Sequence, residues 1–149
     1  MMALNEQLQH EIKAAMLAKN APRLNALRML KSAIGYVQIE KKTDALSDAD
    51  FIAVVQREVK KRRDSMEQYS AAGRPELAAT ESAEIAVLEI FLPKALAPEE
   101  LEALIIATIQ EVGATDKKQM GAVMKAVQVK VAGRADGKTI SGIVGRLLP

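Results

Sequence analysis

Apolar residues recur three and four apart along almost the whole chain, and glycine and proline stand where that spacing breaks, so helices are the element this sequence can build. Leu4, Leu8, Ile12 and Met16 share one face of a first helix. Asn20 and Pro22 separate it from a second, on Leu27, Leu30, Ile34 and Val37. Residues 41–49 read as a loop, and Ser47 followed by Asp50 has the spacing of a capping box that opens a third helix. That helix carries Ile52, Val55, Val59, Met66 and Tyr69, with Gly73 just past its end. Pro75 suits the first position of a fourth helix, on Leu77, Ile85, Leu88 and Leu92, which Pro93 stops. After a hinge at Pro93–Pro98 the period resumes in a fifth helix (Leu101, Leu104, Ile105, Thr108, Val112, then Gly113). A sixth (Met120, Val123, Met124, Val127, Val131) and a short seventh (Ile140, Ile143, Val144, Leu147) follow. Val127, Val129 and Val131 also alternate as a strand would, but the chain offers no second strand to pair with them. The expectation is an all-α fold, an N-terminal four-helix bundle over 1–93 followed by a C-terminal three-helix bundle over 94–149.

With 149 residues, 49% of them hydrophobic and 27% charged, the chain has material for a core and too much of it for disorder. It has no Cys, no Trp and a single His, His10, which removes disulfides, thiol nucleophiles and zinc cages. No cofactor or metal is expected. Glu6, Glu11, Lys13 and Lys19 interrupt any export signal, and no apolar run approaches the roughly 18 residues of a membrane span, so the expectation is a cytoplasmic protein with no membrane partner.

The charges fall in blocks. From Glu76 to Asp116 there are nine acids and one base, Lys94; from Lys117 to the end there are seven bases and one acid, Asp136. Lys117, Lys118, Lys125, Lys130, Arg134, Lys138 and Arg146 are the candidate contacts for a polyanion. Lys118 and Lys125 are seven apart, with small Gly121 and Ala122 between them to permit close approach, and Gly133, Asp136 and Gly137 supply turn chemistry. No aromatic residue lies in this block to stack on bases, so the fitting nucleic acid is a structured one recognised by its backbone; an acidic protein or plain solvation are the other readings. The alternative is that the acidic segment folds over the bases and neutralises them. Arg57, Lys60, Lys61 and Arg63 form a second basic face, partly balanced by Glu58, Asp64 and Glu67, while Arg62 falls on the apolar side and is expected to pair internally.

Two stretches invite an enzymatic reading. Ala132-Gly133-Arg134-Ala135-Asp136-Gly137-Lys138-Thr139 matches a relaxed phosphate-loop pattern, yet it follows a helical segment and ends ten residues from the C-terminus, so a turn between two helices fits better. Glu81 and Glu84 lie near the apolar stripe of the fourth helix, where a buried carboxylate pair would have shifted pKa values, but no nucleophile accompanies them in sequence.

Several segments, in order, resemble the YqeY-like family. These are Leu27-Arg28-Met29-Leu30, the run Lys60-Lys61-Arg62-Arg63-Asp64-Ser65 with Tyr69 after it, Leu92-Pro93, Met120-Gly121-Ala122-Val123-Met124 and Gly133-Arg134-Ala135-Asp136-Gly137. Ala122 departs from the pattern, standing where the family more often carries Lys. The resemblance implies a two-subdomain helical fold related to the C-terminal tail of GatB, the tRNA-binding subunit of an amidotransferase acting on Glu-tRNA or Asp-tRNA. It implies tRNA as a partner, with a tRNA-modifying or aminoacylating enzyme as another. A carbon–nitrogen ligase label, glutamine as amido donor, also follows by homology; the catalytic parts of that enzyme lie outside the tail.

Overall fold

A computed structural model describes residues 3–149 of the chain. Among them are seven α-helices and no strand: α1 (Leu4–Leu17), α2 (Ala21–Lys41), α3 (Asp48–Ala71), α4 (Pro75–Glu89), α5 (Pro98–Val112), α6 (Met120–Val131) and α7 (Gly137–Leu147). A single 3-10 turn, Lys117–Gln119, leads into α6. The chain divides into two compact units, residues 1–92 with α1 to α4 and residues 93–149 with α5 to α7.

The helix boundaries have local causes. Asn20 accepts from the Arg23 amide at 3.2 Å and Pro22 occupies the first turn, so α2 starts where the chain can spare a donor. Ser47 caps α3 by accepting from the Asp50 amide at 3.2 Å, but the Asp50 carboxylate turns to Lys41 Nζ at 2.9 Å, tying the end of α2 to the start of α3. α3 and α5 end through left-handed glycines, Gly73 at φ 72° and Gly113 at φ 75°. α1, α2 and α6 end through left-handed residues that carry side chains, Lys19 and Lys42 at φ 53° and Ala132 at φ 47°. Val127 to Val131 are helical: Val127 and Val131 join Val123 inside while Val129 points to solvent, 77% exposed.

Each unit has its own core. In the first, Leu27, Leu30, Phe51, Val55 and Leu88 are fully buried and the Phe51 and Phe91 rings sit 5.7 Å apart. In the second, Ile105, Val123, Val127, Ile140 and Val144 are fully buried. Burying each such side chain contributes about 1.5–3 kcal/mol. This is what fixes which face of each helix is left to carry function.

Candidate nucleic-acid interface

Asp116 accepts from the Lys118 amide at 2.8 Å, and Gln119 Oε1 accepts from the Thr115 amide at 2.7 Å and the Thr115 hydroxyl at 3.2 Å. These bonds lock the turn that presents Lys117 and Lys118. The turn runs directly into α6, whose inner face is Val123, Val127 and Val131 and whose outer face is Gly121, Ala122, Lys125 and Val129. Lys125 lies on the outer face of α6, and Lys118 lies seven residues earlier in the 3-10 turn that leads into it. The side chains of Lys117, Lys118 and Lys125 are exposed and make no hydrogen bond or ion pair with any described residue.

The other four expected contacts sit elsewhere. Lys130 lies about 140° round the helix from Lys125 and pairs with Glu111 of α5. Arg146 of α7 pairs with Glu102 of α5 at 3.3 Å. Arg134 donates from Nε to the Lys94 carbonyl at 2.9 Å, while the Leu96 amide donates back to the Arg134 carbonyl at 2.9 Å. That reciprocal clamp lays the backbone of Lys94, a base the sequence had placed in the acidic block, against Arg134. Lys138 is exposed in the first turn of α7.

Part of the acidic segment thus does cover part of the basic block, because the second unit begins at residue 93 and takes in α5. Its eight bases face six acids, a net of +2, against a first unit with equal numbers of each.

Of the glycines, Gly133 is a turn residue at φ 85°, directly after Ala132 at the helix end. Gly121 lies inside α6 and Gly137 opens α7. Asp136 caps α7, accepting from the Thr139 amide at 2.7 Å and the Thr139 hydroxyl at 3.1 Å. Its carboxylate holds the groups that a bound phosphate and its magnesium would need, and the turn follows a helix. This geometry is a helix cap.

On α3 the basic residues mostly find partners. Lys60 meets Asp64 at 3.1 Å, Lys61 meets Glu58 at 2.9 Å and Arg63 meets Glu89 at 3.5 Å, with only Arg57 exposed and making no such contact. Arg62 is 5% exposed. Its Nε donates to Glu84 at 3.0 Å and its Nη1 to the Glu58 carbonyl at 3.0 Å, with Glu58 Oε1 at 3.5 Å and Met29 Sδ near Nη2 at 3.9 Å. Glu84 is therefore a structural counter-ion, and Glu81 is partly exposed beside it in sequence with no hydrogen-bonded partner. His10 is exposed on α1. Among the described residues no three acidic or histidine side chains converge as metal ligands would. No described helix is long and apolar enough to cross a membrane.

Fold and surface together define an all-helical protein of two small units, the second of which presents three unpaired lysines on the turn into α6 and on the outer face of that helix. Comparison with known proteins carries this further: the model of the YqeY-like proteins matches residues 5–148, and the chain belongs to that family, as the ordered motifs suggested. It is similar to two proteins named altered inheritance of mitochondria protein 41, mitochondrial. The one from Pyrenophora tritici-repentis is 26% identical over 132 residues, covering 87% of this chain and 71% of that protein. The one from Kluyveromyces lactis is 30% identical over 139 residues, covering 91% and 70%. Both names carry a mitochondrial designation, which sits poorly with a plainly cytoplasmic expectation.

Proposed function

We propose that the protein binds structured RNA, tRNA foremost, through its C-terminal unit and performs no bond-making chemistry on it alone. The observation that carries this reading is the set of three exposed lysines on the 3-10 turn and outer face of α6, Lys117, Lys118 and Lys125, without acidic partners. Their placement on the turn into α6 and on a helix face of small residues suits the phosphates of a folded RNA. Arg134 and Lys138 extend the surface toward the α6–α7 turn. Lys130 and Arg146 join only if an RNA phosphate displaces Glu111 or Glu102. The frame for this reading is a four-helix bundle that carries a three-helix, RNA-facing one. The carbon–nitrogen ligase label belongs, on this reading, to a larger assembly in which a tail of this type holds tRNA. The mitochondrial names of the relatives are compatible with it, since tRNA is present in both compartments.

The test is binding of the full chain to bulk tRNA and to a DNA duplex of matched charge, beside the variant Lys118→Ala/Lys125→Ala/Arg134→Ala. Selective tRNA binding that the variant loses supports the proposal. Equal binding to both, or none at low salt, refutes it and leaves docking on a translation enzyme as the remaining role.

A further inference from the structure

The family-like run Leu27-Arg28-Met29-Leu30 splits in the structure, with Leu27 and Leu30 fully buried while Arg28 and Met29 face outward. The same division continues along α2. Its inner side is Ala26, Leu27, Leu30 and Ile34; its outer side presents two adjacent rows at helical spacing. One is basic, Arg28 and Lys31, with Lys42 following just past the helix end; all three are exposed and none has a hydrogen-bonded or ion-paired side chain among the described residues. The other is apolar, Tyr36 at 74% and Ile39 at 76% exposure, with Met29 half exposed at its edge.

On the basic row, seven residues after Arg28, lies Gly35, in a helix interior where glycine costs about 0.5–1 kcal/mol against alanine. A Cβ there would meet no atom within 4 Å, so the protein's own packing does not require the gap. The gap opens into a depression of about 490 Å³ lined by Gly35, Gln38, Ile39, Lys42, Thr43 and Asp44. Its wall is prearranged. Gln38 Nε2 donates to the Asp44 carbonyl at 2.9 Å, the Thr43 amide donates to the Gln38 carbonyl at 3.0 Å, and Lys42 is held left-handed at φ 53°. Acids near this face are few: Glu40 lies on the side of α2 away from the basic row, and Asp44 sits at the end of the depression.

We infer that the outer face of α2 docks an acidic amphipathic helix of a protein partner, with an apolar anchor in the depression beside Ile39 and carboxylates against Arg28, Lys31 and Lys42. From residue 28 to the end of α2 at Lys41 the face runs about 20 Å, nearly four turns of helix, the length over which two helices interlock side-chain rows. Charge complementarity fixes the sign of the partner. The aliphatic Ile39 and Met29 favour a peptide over RNA, which has nothing to bury there and only Tyr36 to stack on. This site shares no residue with the RNA surface proposed above, so the two stand or fall separately.

The test is amide NMR of the full chain titrated with a synthetic amphipathic peptide of about 18 residues, leucines on one face and glutamates along one flank. A scrambled peptide of the same composition, a peptide with lysine for glutamate, and single-stranded oligouridine serve as comparisons. The expected result is that shifts concentrate in residues 28–44 with the acidic peptide. Arg28→Glu/Lys31→Glu/Lys42→Glu and, independently, Tyr36→Ala/Ile39→Ala should each weaken binding at least about tenfold, the scale of a lost interface anchor. The second variant decides the matter if the first fails to fold. Equal binding of the scrambled or basic peptide, shifts elsewhere on the protein, stronger shifts with oligouridine, or concentration-dependent self-association through α2 without peptide would each overturn the inference.

Discussion

The steepness with which salt weakens tRNA binding reports how many cations are free to meet phosphate, and the pairing seen in the C-terminal unit gives it a definite value. Each lysine that replaces a condensed counterion adds about −0.9 to the slope of log affinity against log salt. With Lys117, Lys118 and Lys125 as the phosphate contacts, and Arg134 and Lys138 at the rim replacing no counterion, the slope is about −2.7, an affinity loss of about 40-fold between about 50 and 200 mM salt. Were all seven basic residues engaged, the slope would be about −6.3 and the loss about 6,000-fold. Removing Lys118 and Lys125 together by alanine should flatten the slope to about −0.9, leaving a change of about 3.5-fold over the same range. Removing Lys130 and Arg146, which Glu111 and Glu102 neutralise, should leave it near its starting value. Fluorescence anisotropy of labelled tRNA over a salt series measures all three. A wild-type slope near −6, or equal flattening by the two double variants, would refute the division into free and paired cations.

Three further outcomes follow from the first unit. Arg62→Ala takes a buried guanidinium from Glu84 and Glu58 while Lys61 still meets Glu58 at 2.9 Å, so the cost should approach but not reach the about 3–5 kcal/mol of a fully broken buried pair; by contrast Lys60→Ala, an exposed pair, should stay within about 0.5 kcal/mol in denaturant unfolding. Gly35→Ala should stabilise that unit by about 0.5–1 kcal/mol in the same assay, since the helix gains and nothing clashes; a loss of stability would contradict the open space there. Asp50 has its pKa lowered chiefly by the hydrogen bond and charge of Lys41, aided by Ser47. A carboxylate depressed in this way contributes stability above its unfolded pKa, about 3.9, and loses it as pH falls through the lower folded value. Lys41→Met should move the Asp50 titration, followed by NMR, back up toward that ordinary value.

Much of the fold was readable because its signals are local. Asn20, Ser47, Gly73, Pro75 and Gly113 act within a turn of their own position, and the burial of Arg62 follows from its place on an apolar stripe. The ambiguity at Val127 to Val131 was settled by packing, as two valines fill the second core and the third, Val129, does not. The site was harder to read because pairing is a long-range matter. Lys130 and Glu111 are 19 residues apart and Arg146 and Glu102 are 44 apart, so a count of charges by segment assigns them to opposing blocks when they are in fact partners. The outer face of α2 went unseen for the opposite reason: Arg28 and Lys31 form no run with Lys42, and only the fold of the helix and its end brings them to one side. Periodicity of charge, traced as carefully as periodicity of hydrophobic residues, would have found it.

The left-handed helix ends give the molecule an unused reserve. Lys19, Lys42 and Ala132 each hold a backbone shape that glycine adopts freely and that costs a residue with a Cβ about 1–2 kcal/mol. A chain selected only for durability would have glycine at all three stops, as it does after α3 and α5. An engineer seeking a hardier version could start at Lys19 and Ala132, leaving Lys42, whose charge sits on the face where a partner would read it.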